Sequence, residues 1–130
     1  MAELAAGRGT DEDIRKLKKL LKDAKKFVDM GIDYVTNFWE ADKKVHLAIA
    51  EISRNPIYIS ICKTIHYNII HYLMKYLPMR VNVMEENYMD LCDIVESIEL
   101  GKSDDARNLA TEHVRRFNRY MKKMQDEETV

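Results

Sequence analysis

Apolar residues recur at steps of three and four along nearly the whole chain, the period of an α-helix that buries one face. From Ile14 the stripe runs through Leu17, Leu20, Leu21, Ala24, Phe27 and Val28, while Lys16, Lys18, Lys19, Lys22, Lys25 and Lys26 crowd the remaining surface. Thr10, followed three residues later by Asp13, forms a capping box that predicts the start of this helix, and Gly31 predicts its end. A second periodicity runs from near Asp33 to about Ser53, with Val35, Phe38, Trp39, Asp42, Val45, His46, Ile49 and Ile52 facing inward. Asn55-Pro56 then marks a joint, because proline fits a helix's first turn and restricts the residue before it. The third helix, Pro56 to Leu77, is apolar almost all round, the pattern of a helix running through the middle of a bundle, and Pro78 ends it. A fourth helix is expected from about Val81 to Leu100, closed by Gly101. The fifth is expected from Asp104 to about Met124, with Ala106, Leu109, Ala110, His113, Val114, Phe117, Tyr120 and Met121 inward and the last residues frayed.

Length and composition narrow the architecture. A chain of 130 residues makes about one domain. With 46% apolar and 33% charged residues but only four Gly and two Pro, it has little turn material, which excludes a β-rich fold. The expectation is one all-α, antiparallel bundle of five to six helices over residues 1–130, ordered from about 10 to 125. The net charge of −1 supplies no field to draw the domain onto nucleic acid, and the lysine face of the first helix reads as a solvated surface. Cys62 and Cys92 form no CxxC pair, which fits a reducing compartment. No apolar run approaches the roughly 20 residues that span a bilayer, and Met1-Ala2-Glu3-Leu4 lacks the pattern of a secretion signal. A cytoplasmic location without membrane contact is expected.

Asp42 and His46 lie four residues apart, on one face of a helix, where their side chains can reach one cation or bond each other. His113 sits among apolar residues on the last helix, and an ionisable group aimed inward needs a partner. His66 and His71, five residues apart, point about 140° away from each other, so at most one lines a given pocket. His66 is the better candidate, with Cys62, Ile69, Ile70 and Leu73 around it at helical steps. The chain has no Glu-x-x-His pair, phosphate-binding Gly-rich loop, His-Glu-x-x-His or Gly-x-Ser-x-Gly. A binding module is therefore favoured over an enzyme.

The stretch Leu4 to Ile14, the run Asp42-Lys43-Lys44-Val45-His46-Leu47-Ala48-Ile49-Ala50 and the joint Ser53-Arg54-Asn55-Pro56 resemble FCD domains, the sensing domains of FadR-like GntR transcription regulators. Asp93 to Ile98, Gly101, Asp104, Ala106 and His113-Val114 are similar to that family's final helix pair, with Val45 replacing a usual phenylalanine. The resemblance implies a homodimeric helical bundle that binds a small organic acid or similar effector, often beside a divalent metal such as zinc or nickel. Carried over residue by residue, it makes Asp42, His46 and His113 metal ligands. The fourth ligand position falls on Leu91, which cannot coordinate. His66, Arg80 and Leu91 are expected around the effector, with Arg80 as a carboxylate anchor. DNA would be reached only through a winged helix-turn-helix domain, expected to be absent from this chain because only about ten residues precede the first predicted helix. A metal-dependent helical enzyme and a purely structural dimerisation bundle are the two other readings that fit these residues.

Overall fold

The computed structural model describes the backbone of residues 1–76 and 81–128, and side chains outside 70–82 and 124–130. The described residues form six α-helices: α1 (Ala2–Arg8), α2 (Asp11–Met30), α3 (Val35–Ile52), α4 (Pro56–Tyr76), α5 (Val81–Glu99) and α6 (Ser103–Glu128), with a 3-10 turn at Ile32–Tyr34. No strand occurs among them, so the all-α bundle holds.

The predicted start of α2 is present in full: the Thr10 side chain accepts from the Asp13 amide, and the Asp13 carboxylate accepts from the Thr10 amide. Gly31 follows α2 at φ 96°, a backbone that only glycine adopts without strain. At the other end of the fold, Gly101 takes φ 67°, and its own amide and that of Lys102 bond back to Ile98 and Ser97. These two reversed bonds close α5 in a Schellman cap and turn the chain directly into α6. Asn55 works as an N-cap, its side chain accepting from the Ile57 amide so that Pro56 opens α4.

Two features depart from the sequence expectation at the termini. A helix, α1, precedes Thr10, its Ala2, Ala5 and Ala6 buried in the main core. It packs on α6, α5 and α3. At the other end α6 stays helical through Glu128, well past Met124.

The core has two parts. One gathers Ala2, Ala5, Leu17, Leu21, Val45, Ile49, Leu91, Ile94, Val95, Ile98 and Ala106 from α1, α2, α3, α5 and α6. The other centres on Phe38, Trp39, Val83 and Met84. The helix in the middle is α5, which packs on α1, α2, α3 and α6. The expectation for α4 is thus corrected: it lies on the outside, against α3, with Ile57, Ile61 and Ile65 67%, 45% and 44% exposed. Its apolar surface is wider than α3 alone can cover. Val114 likewise turns outward, at 55% exposed.

Candidate functional site

α3 carries Asp42 and His46 in step with the buried Phe38, Val45 and Ile49, where α3 meets α5 and where His46 reaches His113 of α6. α6 brings His113, buried, from the opposite wall. One ligand atom each from Asp42, His46 and His113 lies within 4.8 Å of the others, so the three residues named from sequence do converge. His46 Nε2 is 3.3 Å from Asp42 Oδ1, and the His46 and His113 rings stack with centroids 5.4 Å apart.

Two residues of α5 complete the setting, and sequence reasoning named neither. Asn87 donates its side-chain amide to Asp42 Oδ1 at 2.6 Å. Asp90 Oδ2 lies 2.9 Å from His113 Nδ1, while its other oxygen accepts from Arg116 Nη1. A carboxylate on Nδ1 fixes the imidazole tautomer and leaves Nε2 as the nitrogen available to a cation. The signal for Asn87 was its place in the inward stripe of α5, between Met84 and Leu91, where a polar residue needs a reason.

Burial alone would raise the Asp42 carboxyl, but the charge and hydrogen bond of His46, with His113 and His66 behind it, hold it below the ordinary carboxylate value. Burial opposes charge on His46 too, yet Asp42 wins and pushes that imidazole up. His66, from α4, stands with its ring centroid 4.8 Å from that of His46. Burial and the neighbouring charge of His46 push His66 down to about 4. The cluster is therefore an ionised carboxylate among imidazoles.

Leu91 is wholly buried in the core part that holds Val45 and Ile49. Arg80 lies outside the described residues. Beside His66 a groove of about 490 Å³ opens between α3 and α4, lined by Glu40, Lys43, Leu47, Cys62, Lys63 and Tyr67 as well as His66. On the α5–α6 side the cleft at Asp90 and His113 is almost filled, at about 20 Å³. One turn before Asp42, Trp39 Nε1 is buried and has no hydrogen-bond partner among the described residues.

The donor set suits a divalent cation. Two imidazoles and one carboxylate match zinc or nickel better than calcium or magnesium, and three protein ligands leave a coordination position open. The buried negative charge of Asp42 would be compensated by the ion.

Residues 1–116 match the sequence model of the FCD domain. Among solved structures, E. coli McbR/YncC is similar in fold, with a TM-score of 0.79 at 16% identity over 95% of this chain. This chain spans 58% of that one. No curated protein matches the sequence significantly. Among the described residues, no helix is long and apolar enough to cross a membrane.

Proposed function

This chain belongs to the FCD domain family, and we propose that it is the effector-sensing, dimer-forming part of a GntR-type transcription regulator. The family sets it among regulator domains and apart from enzymes. The carrying observation is the convergence of Asp42, His46 and His113 on one buried point. We read that point as a zinc or nickel site whose open position takes the carboxylate of a small organic acid.

Each residue has a part in this reading. Asp42 supplies the buried charge, Asn87 steadies its Oδ1, and Asp90 sets the His113 ring with Arg116 behind it. The ion, when bound, supplies the positive charge that an effector carboxylate meets. The body of the effector would lie along Leu47, Cys62 and Tyr67 in the α3–α4 groove, with Lys43 and Lys63 at its rim. The unpartnered Trp39 N–H is a further donor for an effector oxygen, since buried polar groups are rarely left unsatisfied.

Pairing of two copies is supported by the Ile57, Ile61 and Ile65 stripe, an apolar row that the described residues leave uncovered. Effector binding would favour one of two dimer arrangements and so reposition DNA-binding domains that act outside this bundle. Thermal melting with zinc or nickel and a panel of carboxylates of three to six carbons tests the reading. An effector at a hundredfold over its Kd raises stability by about 2.7 kcal/mol, and the gain should vanish in Asp42→Ala. If no acid stabilises the metal-loaded protein, the sensor reading is wrong.

A further inference from the structure

We propose that His66, reaching in from α4, is the fourth protein donor to the ion, standing in for the ligand that Leu91 cannot provide. The proposal rests on the metal reading of Asp42, His46 and His113 given above. Its ground is the placement of the His66 ring, 4.8 Å from the His46 ring and tilted 33° to it, just outside the trio whose ligand atoms lie within 4.8 Å of one another. His66 is only partly buried and has no hydrogen-bond partner among the described residues, in contrast to His113, which Asp90 holds. In this proposal a rotation about its two side-chain torsions would carry a ring nitrogen toward the point the trio surrounds.

The consequence reaches beyond one ligand. α3 and α6 supply the trio, and α4 packs chiefly on α3. A donor from α4 ties this outer helix through the ion to α6. The same helix bears the Ile57, Ile61 and Ile65 row, so metal occupancy and the posture of that row become linked. An effector carboxylate entering along the α3–α4 groove meets His66 before the trio, and takes its place on the ion by displacing His66, which holds that position only in the effector-free protein.

Metal-free protein titrated with cobalt(II) and, in competition with a chelating dye, with zinc provides the test. His66→Phe keeps a ring without a donor atom and His66→Ala removes the ring; melting of the metal-free variants checks that both fold. Four protein donors predict intense visible cobalt bands in the wild type, weakened in both variants. Zinc affinity should fall at least the ten- to hundredfold that an outer partner of a ligand is worth. Hydrogen exchange across residues 56–69 should slow on adding zinc to the wild type and not to His66→Phe. Unchanged zinc affinity and cobalt spectrum in both variants would overturn the role of His66 while leaving the trio standing. If the wild type binds neither ion, the metal reading itself falls, and this inference with it.

Discussion

Asp90 is the neighbour on which the site depends most without itself being a ligand of the proposed ion. Asp90→Asn keeps the shape but weakens the acceptor for His113 Nδ1 and leaves Arg116 without its carboxylate. Zinc affinity should drop ten- to hundredfold by calorimetric titration with the fold intact, as for other outer partners of metal-bound histidine. The same cluster sets a pH profile in the metal-free protein. Unfolded His66 takes a proton near its ordinary value of 6.5, and folded His66 only near 4. Between those values the unfolded state holds more protons, so stability from His66 is fully present above 6.5 and is lost as pH falls toward 4. His46 acts oppositely: its raised value gives stability that is present below 6.5 and lost as pH rises through the folded value. Melting temperature should therefore peak near neutrality, with the acid limb flattened in His66→Phe and the alkaline limb in His46→Phe. Asp42 and His46 were legible in the sequence because one helix turn joins them, and His113 because of its apolar neighbours and the family resemblance. Asn87 and Asp90 were not, since their partners stand 45 and 23 positions away and are met only after α5 packs between α3 and α6.

At the scale of elements, local chemistry fixed the boundaries wherever a side chain or a special backbone carried the signal. The Thr10–Asp13 box, Gly31, Asn55-Pro56 and Gly101 all lie where the helices begin or end. Thr10→Ala should lower stability by about 1 kcal/mol, and chemical denaturation measures it. An unchanged midpoint would show that packing of α1 onto the bundle, and not the cap, holds that corner. α1 itself was missed because a seven-residue, alanine-rich segment has no side-chain cap and owes its helix to burial against α5 and α6. The place of α4 was misread for a related reason. Periodicity reports that a surface is apolar, without reporting whether the same chain covers it.

For the whole molecule, that uncovered surface predicts a dimer. Ile61→Glu puts a charge in the middle of the exposed α4 row, where it costs the single chain little, and should convert dimer to monomer in analytical ultracentrifugation. A variant that stays dimeric would move the interface to another face. The central claim, however, is that this bundle is built around a metal-dependent sensing point and not around a filled structural core. Native mass spectrometry of the purified protein, titrated with zinc before and after chelation, tests it most directly. One ion per chain, lost on chelation, restored on adding zinc and absent from Asp42→Ala, is the result expected. A protein that takes up no zinc or nickel while correctly folded would contradict the account.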